Sequence, residues 1–203
     1  MKASEETMIT DLRQLDPDAH YTYGDYLLWQ FQERVELIKG RIRQMAAPNV
    51  RHQRISGKIQ RELSWFLKNQ RCDVFAAPFD VRLPLPSHRM KGQKVDTVVQ
   101  PDLCIICNRE KLDERGCIGA PDLIVEILSP GNSRKELRDK YELYQESGVQ
   151  EYWVVFPSEQ VLQRYILNAE NIYQAQLPNV EGDVVGITFL PGFALTVAEI
   201  FEE

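Results

Sequence analysis

Several things are scarce in this sequence. No run of 18 apolar residues occurs among its 203 positions, which excludes a membrane-spanning helix. The opening stretch MKASEETMIT lacks the apolar core of a secretion signal, so a cytoplasmic protein is expected. Internal repeats, low-complexity tracts and linkers are absent. One domain is therefore expected over residues 21–203, preceded by a polar, flexible arm over residues 1–20. Positive charge is in deficit: 24 Lys and Arg stand against 30 Asp and Glu, a net charge of -6. That argues against a protein that coats nucleic acid by general basicity, although a local basic patch stays compatible with it.

Cysteine and histidine are also few, with four and three copies. Cys104 and Cys107 have C-x-x-C spacing but lie inside the apolar run DLCIIC. In a strand their sulfurs would point to opposite faces. A zinc site of this type needs a second ligand pair on tight turns, and His20, His52 and His88 are remote in sequence. Cys72, Cys104, Cys107 and Cys117 are therefore expected to be buried free thiols.

What is present alternates between strand and helix patterns. Residues 22–34 look helical, with Thr22 as cap and Asp25 completing a Thr-x-x-Asp start. Residues 35–45 read as a hairpin turning at Lys39-Gly40. Residues 49–70 form an amphipathic helix with Ile55, Ile59, Leu63, Phe66 and Leu67 on one face. Arg51, Arg54, Lys58, Arg61 and Lys68 lie mostly elsewhere. They read as a solvated charged face, with a phosphate-contacting surface as the alternative. Residues 72–86 are extended and broken by prolines, and residues 87–94 form a polar loop. Residues 96–107 and 117–129 are apolar strands joined by a charged loop. Residues 132–148 form a helix capped by Asn132 or Ser133, with a Ser133-x-x-Glu136 box and Gly148 at its end. Residues 151–156, 160–167, 171–177 and 183–189 read as strands. Residues 196–201 close the chain with a helical turn and a Thr196-x-x-Glu199 box. The alternation predicts an α/β domain with a central mixed sheet flanked by helices.

Acids in apolar company carry the chemistry. Glu126 sits inside PDLIVEILS, among five apolar residues. An unpaired buried carboxylate is costly, so Glu126 needs either a buried basic partner or a metal. Asp102 opens the strand PDLCII 24 positions earlier, and a strand–loop–strand path can bring both acids to one spot. Magnesium is typically held by one or two carboxylates together with water and substrate phosphate. Asp122 also follows a proline, but in an extended strand it would stand about 13 Å from Glu126, too far to share an ion. Glu36 lies between Val35 and Leu37 in the hairpin, where it could simply face solvent. On the helix after Glu126, Leu137, Lys140, Tyr141 and Tyr144 share one side. Lys140 is thus the basic residue placed to meet the acids, or else a lysine whose stem covers apolar surface.

The stretches VELIKGRI, VQPDLCII, GAPDLIVEILSP and RDKYELYQESGVQEYWVV, in this order over roughly residues 20 to 195, resemble the restriction-endonuclease-like superfamily, named for its PD-(D/E)XK motif. Within it the chain is similar to the Uma-two family of bacterial endonucleases. The resemblance implies a restriction-endonuclease-like fold, with Asp102 and Glu126 as metal ligands and Glu36, contributed from the early hairpin, as a third acid at the same metal. The motif's lysine would fall at Leu128, and the resemblance transfers that role to Lys140. His52 stands where the family often has histidine, behind the ligands. The activity implied is hydrolysis of phosphodiester bonds in nucleic acid, DNA before RNA, with Mg2+ or Mn2+ as cofactor. Cutting both strands of a duplex suggests a homodimer. Two rivals from other classes are a nuclease-like module that no longer cuts and a phosphoesterase for small nucleotides.

Overall fold

The computed structural model of the chain describes residues 8–85, 95–130 and 134–202. The expected polar loop over 87–94, His88, and the caps at Asn132 and Ser133 lie outside the described residues. The N-terminal segment from residue 8 onward is tied to the body. Ile9 exchanges main-chain hydrogen bonds with Leu28 and Gln30, each 2.8 Å long. That pairing also shortens the first helix, α1, to Tyr23–Tyr26. The Thr22–Asp25 capping box forms as expected, but the chain beyond Tyr26 leaves the helix to meet Ile9.

The hairpin β1 (Val35–Ile38) and β2 (Arg41–Gln44) turns at Lys39 and Gly40, both at positive φ. A Cβ on Gly40 would fall 2.1 Å from the ring of His20, so only glycine fits this close approach. Helix α2 (Val50–Leu67) follows, with Asn49 accepting a 2.8 Å hydrogen bond from the His52 amide as N-cap. Ile55, Ile59, Leu63 and Leu67 are buried and Phe66 partly so. Then come β3 (Asp73–Ala76), β4 (Val81–Arg82), β5 (Val98–Val99), β6 (Leu103–Ile106), β7 (Leu112–Asp113), β8 (Gly116–Ile118) and β9 (Leu123–Ile127). Helix α3 (Arg134–Ser147) ends at Gly148, φ 83°. Strands β10 (Glu151–Phe156), β11 (Val161–Leu167), β12 (Tyr173–Ala175), β13 (Val184–Ile187) and β14 (Leu190–Thr196) lead to α4 (Val197–Phe201). Strand β14 has no counterpart in the sequence expectations, and among the described residues Thr196 makes no side-chain capping bond. No helix among the described residues is long and apolar enough to cross a membrane.

The fold is mixed α/β, with its strands divided between two six-stranded sheets and the β13–β14 hairpin. One sheet runs β12-β11-β10-β9-β6-β3, with β9 and β10 parallel and the other pairs antiparallel. The other runs β2-β1-β5-β4-β8-β7. The two long apolar strands read from the sequence are each cut in two. Residues 98–99 and 116–118 join the second sheet, while 103–106 and 123–127 join the first. The cuts fall at Pro101 and Pro121, which cannot donate to a ladder. Each proline is followed by an aspartate at the start of the next strand.

Alternation along β6 and β9 sorts the core. Leu103, Ile105, Leu123, Val125 and Ile127 pack towards α2, the β13–β14 hairpin and α4. Cys104, Ile106 and Ile124 pack towards α3 and the second sheet. Cys104 and Cys107 do lie on opposite sides, but the cysteine expectation holds only in part. Cys104 and Cys117 are buried free thiols, whereas Cys72 and Cys107 form a disulfide. The antiparallel pairing of β3 with β6 places Asp73 opposite Ile106, which brings the flanking cysteines together.

Candidate active site

Glu126 shares the parity of Ile124 on β9, so its side chain faces α3 and not α2. Leu103 pairs with Val125 in the antiparallel register, and one further step sets Asp102 opposite Glu126. The two acids predicted to act together thus begin on adjacent strands of one sheet face. Both line a cleft of about 380 Å³ whose wall also carries Glu36, His52 and Lys140, with Lys135 beside them.

Lys140 is the buried basic partner that Glu126 requires. The periodicity of α3 turns Lys140, Leu143 and Tyr144 inwards. The Lys140 ammonium donates to Glu126 Oε1 at 2.8 Å and to Glu36 Oε1 at 3.3 Å. The Tyr144 hydroxyl donates to the same Glu126 oxygen at 2.6 Å. Glu36 is only 3% exposed, so it is not the solvent-facing hairpin residue that alternation alone would allow. Its Oε1 also accepts from the Gln100 amide at 3.0 Å. Position 128, where the motif would place a lysine, carries Leu128, and Lys140 reaches Glu126 from the following helix.

Asp102 is held from the other side. Its Oδ2 accepts the Ile127 amide at 2.7 Å and meets His52 Nε2 at 3.1 Å. His52 is set in the first turn of α2 by the Asn49 cap, and its Nδ1 is buried without a hydrogen-bond partner among the described residues. Burial works most strongly against a charge on His52, but the hydrogen bond to Asp102 and the negative charges of Asp102 and Glu126 together outweigh it and raise the pKa above that of an ordinary histidine.

Three carboxylates, Glu36, Asp102 and Glu126, meet in the cluster, faced by the Lys140 ammonium and, at Asp102, by His52. Burial raises the Glu126 carboxyl to about 7, with Asp102 and Glu36 adding to the rise and Lys140 opposing it. Burial would lower Lys140, yet Glu126 and Glu36 overcome this and raise it, so the amine stays protonated. Among the described residues, no three His, Cys, Asp or Glu side chains are arranged as one metal-ligand group. Asp102 and Glu126 lie on neighbouring strands, and Glu36 shares the Lys140 ammonium with Glu126.

Asp122 is turned to structural work, as its distance from Glu126 implied. Its Oδ2 accepts the Cys107 amide at 2.8 Å, and it lines a different hollow. Sequence reasoning gave Tyr144 no role, although its place four residues after Lys140 on the same helix side was the available signal. It also passed over Glu151, which is fully buried and binds Arg164 at 2.9 Å, the Trp153 indole at 2.7 Å and the Thr188 amide at 2.8 Å. That cluster braces the core away from the cleft.

No curated protein matches the chain. Among solved structures it is similar to a protein from Anabaena variabilis ATCC 29413 described as "a putative nuclease belonging to DUF820". The two share 22% identity over 89% of this chain and 97% of that one, with a TM-score of 0.70, a likeness that speaks for the fold. A family model, described as "Putative restriction endonuclease", matches residues 23–198. By that match the chain belongs to the Uma2 family.

Proposed function

We propose that the protein is an endonuclease that hydrolyses phosphodiester bonds of nucleic acid, DNA in the first instance, with Mg2+ or Mn2+ bound at Asp102 and Glu126. The observation that carries this reading is the pairing of these two acids on adjacent strands of one open cleft, with Lys140 at 2.8 Å from Glu126. The donor set suits such an ion. Two carboxylates are a usual protein share of a magnesium site. When bound, the ion would polarise a phosphate oxygen and lower the pKa of a water.

The chain's own groups set the geometry around it. The Ile127 amide and His52 fix one oxygen of Asp102. Tyr144 and Lys140 fix one oxygen of Glu126. Lys140, held between Glu126 and Glu36, presents a positive charge that offsets charge building on the attacked phosphate. Lys135, at the cleft wall in the first turn of α3, can touch the substrate further out. Two copies related by a two-fold axis would cut both strands of a duplex.

The test incubates purified protein with plasmid, single-stranded DNA and RNA in Mg2+ or Mn2+, with Glu126→Ala as the contamination control. Cleavage by wild type that is lost in Glu126→Ala is expected. Lys140→Met should remove most of it, and Lys135→Met much less. Cleavage that survives Glu126→Ala, or none with any of the three substrates, would overturn the reading. Sedimentation should give a species of twice 23.5 kDa, and monomer alone at micromolar concentration would refute the dimer.

A further inference from the structure

The outer face of α2 carries a row of residues at three- and four-residue intervals: Arg51, Arg54, Lys58, Arg61, Trp65 and Lys68. Such intervals place them on one side of the helix, opposite the buried Ile55, Ile59, Leu63 and Leu67. At 1.5 Å per residue the row is about 25 Å long. Residues 51–71 hold six Lys and Arg against one acid, Glu62, while the whole chain has 24 against 30. Positive charge is thus concentrated here in an otherwise acidic protein.

Two features of this row oppose helix stability. Arg51 lies in the first turn, which contains no acid, although the helix dipole disfavours a cation there. Gly57 sits mid-helix on the same side, one turn from Arg54 and Arg61. A Cβ built on it meets nothing within 4 Å. Among the described residues no turn, positive φ or close neighbour requires a glycine at this point, yet glycine weakens a helix relative to alanine. Trp65 is 76% exposed, with the Lys68 ammonium 5.9 Å from its ring centre. Arg61 pairs with Glu62, and Lys58 donates to the Glu202 carbonyl, so Arg51, Arg54 and Lys68 are the row's more available cations.

The row also leads to the cleft. His52, its neighbour in the first turn, lines the cleft, and Arg51 lines an adjoining hollow that shares Ser129 with it.

We propose that this face of α2 is the track along which the sugar-phosphate backbone of a nucleic-acid strand approaches the cleft. Arg51, Arg54, Lys58, Arg61 and Lys68 contact successive phosphates, Trp65 offers a stacking face, and Gly57 lets the backbone come close. The proposal rests on the nuclease reading for its substrate class. A row of this length spans about seven nucleotides of a duplex strand at 3.4 Å each. Charge complementarity favours this occupant, and an exposed aromatic among cations is how single strands are commonly held.

The test measures binding of labelled single- and double-stranded DNA to the full chain by fluorescence anisotropy in EDTA, from 50 to 300 mM KCl. Wild type should bind with an affinity that falls linearly in log[KCl]. The triple variant Arg51→Gln/Arg54→Gln/Lys68→Gln should bind more weakly, with a slope shallower by about two to three, at 0.7 to 0.9 per lost phosphate contact. Gly57→Ala and Gly57→Leu should raise Tm while weakening binding. A merely structural glycine would not move the two in opposite senses.

Unchanged affinity and slope in the triple variant, or absence of wild-type binding, would overturn the track. Gly57→Leu that raises Tm and binds like wild type would overturn its close-approach role. Cleavage in Mg2+, run in parallel, separates the two readings. A wild type that cuts, with a triple variant that binds and cuts equally, refutes the track alone. Loss of binding in the triple variant, with no cleavage by any preparation, refutes the nuclease reading alone.

Discussion

Replacing Lys140 by methionine is expected to produce a loss of stability that grows with pH. In the native protein the ammonium is shared by Glu126 at 2.8 Å and Glu36 at 3.3 Å, and all three side chains are almost wholly buried. Breaking a buried ion pair from one side typically costs about 3–5 kcal/mol. Here the carboxylate has an escape, because it can take up a proton. The folded pKa of Glu126 is already raised to about 7, against 4.5 for the free side chain. A raised acid binds more protons folded than unfolded between those values. Its contribution therefore falls as pH rises from 4.5 to 7, by about 3 kcal/mol in all, and is level above 7. Without Lys140 the folded pKa moves higher still. The variant then goes on losing about 1.4 kcal/mol per pH unit above 7, where wild type has stopped. Urea denaturation followed by tryptophan fluorescence at pH 6, 7, 8 and 9 should show the gap widening by about 2–3 kcal/mol between pH 7 and 9. In a Glu126→Gln background, Lys140→Met should show much less of this widening. A gap that stays constant from pH 7 to 9 would refute the claim that Lys140 holds Glu126 ionised.

Other expectations are open to simple measurement. Mn2+ or Mg2+ should raise the wild-type Tm, since a ligand that binds only the native state stabilises it. Asp102→Asn should weaken that rise, and Asp102→Asn/Glu126→Gln should abolish it; an equal rise in the double variant would exclude the proposed site. The metal-induced rise should increase from pH 6 to pH 8 as Glu126 gives up its proton, because ligands bind metal deprotonated. Glu151→Ala should cost at least about 3 kcal/mol by stranding Arg164 and the Trp153 indole, seen in thermal melts, while leaving metal binding by the surviving folded fraction unchanged. Gly116→Ala should destabilise by more than about 1 kcal/mol, since its Cβ would fall 2.2 Å from the Asp80 carbonyl oxygen at φ 127°.

Local pattern carried much of the fold. The three- and four-residue spacing of apolar side chains is a property of the chain itself, so α2 and α3 were legible from sequence. The Lys39-Gly40 turn was legible for the same reason, because positive φ at Gly40 is a local demand. Glu126 could be singled out because an acid between buried apolar neighbours must be compensated, wherever the compensation comes from. The sequence also ranked the candidates for that task, by placing Lys140 on the inward side of the next helix.

Which compensation was used is a long-range matter, settled by packing. Glu36 is 104 positions from Lys140, and no local pattern announces that β1 would close over α3 to bring them within 3.3 Å. The chain's change of sheet at Pro101 and Pro121 depends on which strands pair, and so does the meeting of Cys72 with Cys107. The short α1 lost its predicted length to a pairing with Ile9, a tertiary contact that outweighs modest helix propensity. By itself the sequence determined the helices, the hairpin and an acid in need of a partner, because these follow from neighbours along the chain. Only the tertiary structure decided that Lys140 and Tyr144 would meet that acid, with Asp102 set opposite it, because register and burial join residues that the chain keeps far apart.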